Sequence, residues 1–155
     1  VISIGIDIGS SSIKVARVEG STKEYRVLKL EDYPLSPDPA RDLTLDILEI
    51  LRDIEKRHLS QGETIVLSLK QQNVSIRAKS FPFRERHKIL KSLPFELEDE
   101  IPLPLEQSVL DFKTSHYVGK TSNVLAIAAL TENVEKVVSR AKDSGLTPDI
   151  VSVEG

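Results

Sequence analysis

Val1-Ile2-Ser3-Ile4-Gly5-Ile6-Asp7-Ile8-Gly9-Ser10-Ser11-Ser12-Ile13-Lys14 is the stretch whose reading decides the fold. Ile2, Ile4, Ile6 and Ile8 are β-branched and spaced by two, the pattern of one buried strand face. Gly9 permits a tight reversal that a side chain would obstruct. Ser10, Ser11 and Ser12 then bring successive backbone N–H groups and hydroxyls to the turn, a donor surface suited to phosphate oxygens. Asp7, at the carboxyl end of the strand, is placed to hold a water of a Mg²⁺ ion, which usually keeps several of its waters. Lys14, on the returning strand, adds one compact positive charge. Asp7, Gly9, Ser10, Ser11, Ser12 and Lys14 are therefore the candidate phosphate and metal site. An ordinary β-hairpin with a turn rich in Ser and Gly would carry the same residues, so the motif needs its structural context.

Working outward, Lys23 to Glu31 reads as a third strand of a meander. Pro34, Pro37 and Pro39 interrupt regular structure, and Asp38-Pro39 reads as a helix start, with the acid as N-cap and proline at the first helical position. Leu43, Ile47, Ile50, Leu51 and Ile54 give that helix one apolar stripe, ending near Gly62. Thr64 to Leu69 is a nearly continuous apolar run, the pattern of a strand covered on both faces.

The style changes at about Gln71. Asn73 to Lys79 alternates, with Val74, Ile76 and Ala78 opposite Ser75, Arg77 and Lys79, so one face is expected to be wet. A helix from about Arg84 to Glu100 follows, with Pro94 predicting a kink or a break. Glu96, Glu98, Asp99 and Glu100 form an acidic tip, read first as a solvated helix face. Val109 to His116 and Asn123 to Leu130 read as strands joined around Gly119. Thr131 to Gly145 carries the signals of a capped helix, and Pro148 to Val153 starts one more strand. The elements alternate as an α/β or α+β architecture requires.

Composition excludes several classes. The chain has 155 residues, 39% hydrophobic and 29% charged, with a net charge of −3 and no cysteine. That is a globular chain able to bury a core, without the basic footprint of a nucleic-acid binder and without a disulfide framework or thiolate chemistry. His58, His87 and His116 lack paired metal-ligand spacing. The apolar stretches are too short to span a bilayer, and the amino end lacks the basic start of a signal peptide.

The opening Ile4-Gly5-Ile6-Asp7-Ile8-Gly9-Ser10-Ser11-Ser12-Ile13-Lys14-Val15 resembles the first phosphate loop of the actin-like ATPase superfamily. The strand–helix–strand–strand order from about Asn73 to Leu130 is similar to the small inserted subdomain of its FtsA-like branch. Leu93-Pro94-Phe95-Glu96-Leu97-Glu98-Asp99-Glu100-Ile101-Pro102-Leu103-Pro104, followed by Val109-Leu110-Asp111-Phe112, is similar to the same region of PilM-type pilus assembly proteins and of the cytoplasmic domain of GspL-type secretion proteins. Gly145 to Glu154 resembles the return from the insert to the main lobe.

The resemblance implies an α/β actin-like, ribonuclease H-like lobe over residues 1–71, an inserted α+β subdomain over 72–146, and a return strand over 147–155. It implies a cytoplasmic scaffold at the inner membrane, in the assembly platform of a type IV pilus or type II secretion system. Its partners would be platform proteins, through the short amino-terminal tail of a PilN-type protein, or a secretion ATPase. Nucleic acid is not expected, nor a membrane span within this chain. Phe81, Phe83 and Phe95 are candidate partner anchors, with core packing as the alternative. The family's second phosphate loop and adenosine-binding turn do not occur in this sequence. ATP and Mg²⁺ are therefore expected of a longer full-length protein, neither cofactor of this portion alone, and no catalytic residue is assigned. An actin-like ATPase or kinase, or an FtsA-like division protein, is the alternative.

Overall fold

The computed structural model describes residues 1–60 and 62–154. Strands β1 (Ile2–Ile8), β2 (Ser12–Gly20) and β3 (Tyr25–Pro34) lead to helix α1 (Leu43–His58) and β4 (Thr64–Leu69). Then come β5 (Val74–Phe81), α2 (Arg86–Leu97), β6 (Ser108–Val118), β7 (Thr121–Leu130), α3 (Thr131–Asp143) and β8 (Ile150–Val153). They form two compact units, Val1–Lys70 with Glu135–Gly155, and Gln71–Val134. The expected return to the first unit at residue 147 thus comes earlier. The second half of α3 belongs to the first unit because Val137 and Ala141, with Leu146 beyond them, pack into its core.

The first unit is a five-stranded sheet of order β3-β2-β1-β4-β8. β1 pairs antiparallel with β2 and parallel with β4, and β4 is parallel to β8. Ile4, Ile6 and Ile8 of β1, Ile13 and Val15 of β2, and Ile65 and Leu67 of β4 share one face, buried under Ile47, Leu51 and Ile54 of α1. Each fully buried aliphatic side chain of this kind contributes about 1.5–3 kcal/mol. α1 begins later than expected: Asp42 is its N-cap, accepting from the N–H groups of Thr44 and Leu45, whereas Asp38 accepts from Ala40 N–H in a turn. β4 is covered on one face only; Val66 and Ser68, on its other face, border a cavity.

At the far end of α1, three buried or half-buried polar side chains tie the helix to β3. His58, 4% exposed, has Nε2 2.5 Å from Glu31 Oε2 and 3.1 Å from the Tyr33 hydroxyl. Glu31 Oε2 is itself buried and has no hydrogen-bond partner among the described residues, so its close neighbour His58 Nε2 meets it as an ion pair. The hydrogen bond from Lys29, aided by the charge of His58, holds the Glu31 carboxyl below the usual range against the opposing cost of burial. Burial, then the Glu31 charge, raises the Tyr33 phenol. Arg17 donates to the His58 carbonyl at 2.7 Å, satisfying a carbonyl at the end of the helix.

The second unit is a three-stranded antiparallel sheet of order β5-β7-β6 with α2 on one face. Ile89, Leu93 and Leu97 of α2 pack with Ile101, Phe81, Phe112, Val124, Ala126 and Ala128. Of the kink or break expected at Pro94, the break does not occur: α2 runs through the proline as one helix. It continues only one turn beyond the proline, and Leu93 and Leu97 on either side of it are fully buried. The wet side of β5 is the other surprise. Arg77 and Lys79 lie on the α2 side, where they reach the Glu100 carbonyl and carboxylate respectively. Ile76 of β5, Leu125 of β7 and Val109 of β6 lie on the uncovered face, 38%, 43% and 45% exposed.

Candidate functional site

The uncovered face of the first sheet carries the site. Register places Asp7 of β1 opposite Lys14 of β2, Lys14 opposite Asp32 of β3, and Ser68 of β4 opposite Ser152 of β8. The Ser68 hydroxyl donates to Asp7 Oδ1 and joins the two halves of the row. The result is one polar line, Asp32–Lys14–Asp7–Ser68–Ser152, across all five strands. In β1, β4 and β8 the polar residue is the last but one of the strand, so the line lies at the carboxyl ends of the three parallel strands, where open α/β sheets bind ligands. The neighbouring row is apolar or bare: Leu30, Ala16, Gly5 and Val66. Both rows line a cavity of about 480 Å³.

The turn between β1 and β2 lies directly beside the Asp7–Lys14 pair of this line. Gly9 N–H donates to the Ser12 carbonyl at 3.0 Å, and a Cβ on Gly9 would stand 2.8 Å from that same oxygen. The Ser11 carbonyl accepts from Leu35 N–H at 2.9 Å, pinning the turn to the end of β3. Ser10 and Ser11 are exposed, and Ser12 is buried at the start of β2 with its hydroxyl 3.4 Å from Lys14 Nζ. Among the described residues, Lys14 forms no ion pair with a carboxylate, although register sets it between Asp7 and Asp32. An unpaired ammonium beside exposed hydroxyls suits an anion. A half-buried carboxylate held by a single serine, with its second oxygen free of protein donors among the described residues, suits a hydrated cation. These residues fit a magnesium–phosphate group. Among the described residues no cluster of three or more His, Cys, Asp or Glu could hold a metal by itself.

All six residues read from the sequence, Asp7, Gly9, Ser10, Ser11, Ser12 and Lys14, lie on this turn and the two strands it joins. Ser68, Ser152 and Asp32 escaped that reading. The signal was present in two similar runs, Ile65-Val66-Leu67-Ser68-Leu69 and Ile150-Val151-Ser152-Val153, each with one serine at the same place in an apolar parallel strand. The three phenylalanines are not brought together as a surface. Phe81 is a core residue, 3% exposed, and its candidacy as a partner anchor is withdrawn. Phe83 is half-buried against the same core, its ring centroid 5.8 Å from that of Phe81, and its carbonyl accepts from the buried Ser122 hydroxyl. Phe95, on α2, is 81% exposed.

The model of the family described as type IV pilus assembly protein PilM matches residues 5–155. The chain belongs to the PilM family. Among solved structures, a chain of a PilM–PilN type IV pilus biogenesis complex is 23% identical with a TM-score of 0.75, over 99% of this chain and 47% of that one. The cytoplasmic domain of EpsL, an inner-membrane component of the type II secretion system of Vibrio cholerae, is 15% identical with a TM-score of 0.63, over 99% of this chain and 57% of that domain. This PilM-family chain therefore spans about half the length of both. At these identities the likeness shows the fold, and the α/β class read from the sequence is the one found. Among the described residues no helix is long and apolar enough to cross a membrane.

Proposed function

We propose that this chain is part of a cytoplasmic PilM-type scaffold that joins the inner-membrane platform of a type IV pilus, binding the amino-terminal tail of a PilN-type protein. We propose further that its first unit contributes half of a Mg-ATP site. Family membership over nearly the whole chain carries the first statement, and the PilM–PilN complex, as the structure with the higher similarity of the two, favours the pilus over the secretion system. The polar line of the first sheet carries the second. In this reading Lys14, Ser10 and Ser11 take phosphate oxygens, Ser12 steadies the Lys14 ammonium, Gly9 lets the turn close, and Asp7 accepts from a water of the metal. Bound magnesium would neutralise phosphate charge; this chain's residues orient it and the phosphates from one side. A scaffold uses the nucleotide to fix its shape, and partner recognition falls to exposed apolar groups such as Phe95, Ile76 and Leu125.

The test is calorimetric titration of the full-length protein with Mg-ATP, then with the partner's tail peptide. Nucleotide binding with negligible turnover, together with peptide binding, supports the scaffold. Rapid turnover without peptide affinity overturns it in favour of an actin-like ATPase or kinase. Asp7→Ala and Lys14→Ala should each weaken Mg-ATP binding while the fold is kept, and unaltered affinity in both removes the phosphate site.

A further inference from the structure

We propose that Ser68 is a positioning residue for the magnesium side of this site, fixing the Asp7 carboxylate so that one oxygen is committed to the protein and the other is left for the metal's water. The inference rests on the reading of the polar line as a Mg-ATP site and adds a residue to it from a strand outside the phosphate-loop hairpin.

The argument starts from what Asp7 does not need. Its side chain is half-buried, so water could solvate the carboxylate and no hydroxyl is required to offset burial. A donor is nevertheless supplied, from the neighbouring parallel strand and across the ladder that pairs Gly5 with Val66 and Ile6 with Leu67. Both partners sit on strands, so their Cα positions are fixed by the sheet. The serine χ1 takes one of three staggered settings and so offers its hydroxyl oxygen few positions, and the carboxylate bonded from one of them is restricted in its own torsion. Among the described residues no other side chain bonds to Asp7, so removing the Ser68 hydroxyl frees that torsion. Ser152 stands next in the row, opposite Ser68. The row thus continues away from Asp7 with a neutral hydroxyl.

Partners that orient a metal-binding group typically cost roughly tenfold or more in metal affinity when removed. In the full-length protein, Ser68→Ala should weaken ATP binding in the presence of magnesium by about tenfold, while ATP binding in EDTA stays within about twofold, since the phosphate contacts of Lys14 and the serine turn are untouched. Ser68→Thr, which keeps the hydroxyl, should retain most of the magnesium-dependent affinity. Calorimetry with and without magnesium reads both, and melting curves report the fold. If Ser68→Ala does not fold, Ser68→Cys replaces it as a near-isostere with a far weaker donor, with the same loss expected. Equal losses with and without magnesium overturn the proposal, as do no loss in either and a Thr variant as impaired as the Ala variant. Asp7→Ala separates the two levels. If it leaves Mg-ATP affinity intact, the site reading itself fails; if it weakens binding while Ser68→Ala does not, only the role of Ser68 fails.

Discussion

Gly9→Ala, compared with Gly5→Ala on the same strand, is a sharp test of how the phosphate turn is built. A Cβ at position 9 would stand 2.8 Å from the Ser12 carbonyl oxygen, closer than real contacts of that kind, and the atom it meets is backbone. That oxygen also accepts the 3.0 Å hydrogen bond from Gly9 N–H that closes the turn. Relief therefore requires the turn to open. Losing the hydrogen bond costs about 1 kcal/mol and the steric adjustment about 1–3 kcal/mol, which gives a loss of about 2–4 kcal/mol. For a domain of 60–100 residues each kcal/mol lowers the melting temperature by about 4–8 °C, so the first unit should melt at least about 8 °C lower. At Gly5 the nearest atom to a new Cβ is the Ala16 carbonyl oxygen at 4.0 Å, an ordinary contact. Gly5→Ala should be neutral or gain about 0.4–1 kcal/mol from the reduced freedom of the unfolded chain. Far-UV circular dichroism during thermal and urea unfolding reads both variants. A Gly9→Ala protein as stable as the parent, or two variants that lose stability equally, would refute the steric account of the turn.

Three further expectations concern the rest of the molecule. His58→Leu removes the ion-pair neighbour of the buried Glu31 Oε2 and should cost about 1–3 kcal/mol in urea unfolding, with Tyr33→Phe costing less because the Tyr33 hydroxyl is the more distant neighbour of His58 Nε2, at 3.1 Å. Lys88, chiefly, pulls the Glu85 carboxyl down from its ordinary 4.5 to about 2. Because the folded value is depressed, this contribution to stability is complete above the ordinary value and is lost as pH falls towards 2. The stability gap between the parent and Glu85→Gln should therefore close between pH 5 and pH 2, and a gap independent of pH would contradict it. Leu93→Ala, at a fully buried position on α2, should cost about 2–5 kcal/mol, whereas Phe95→Ala two residues on should stay within about 0.5 kcal/mol. Only the Phe95 change should weaken partner-peptide binding, and a Phe95 variant that binds the peptide as the parent does removes it from the partner surface.

Local chemistry explains which elements could be read from the sequence. β1 follows from β-branched residues at a period of two, and β4, read from a nearly continuous apolar run, is found over the very span expected, Thr64–Leu69. Side chains with more than one possible partner were harder. Asp38 followed by Pro39 has every local sign of an N-cap, yet Asp42 wins because the next helical turn is the one that brings Ile47 over the sheet. Arg77 and Lys79 look like a solvent face, but their long stems cross the α2 side and carry their charges to Glu100 at the end of that helix. The hairpin half of the candidate site was legible because its residues are adjacent in sequence. Ser68 and Ser152 were not, because parallel pairing brings Ser68 beside Asp7 from 61 residues away and Ser152 beside Ser68, and the likeness of their two runs shows only when distant segments are set side by side.

The most direct measurement is the crystal structure of the full-length protein with magnesium and a non-hydrolysable ATP analogue. The account predicts phosphate oxygens against Ser10, Ser11 and Lys14, a metal-bound water on Asp7, and the Ser68 hydroxyl still on the opposite carboxylate oxygen. Nucleotide bound away from this sheet face, or none bound at saturating concentration, would contradict it.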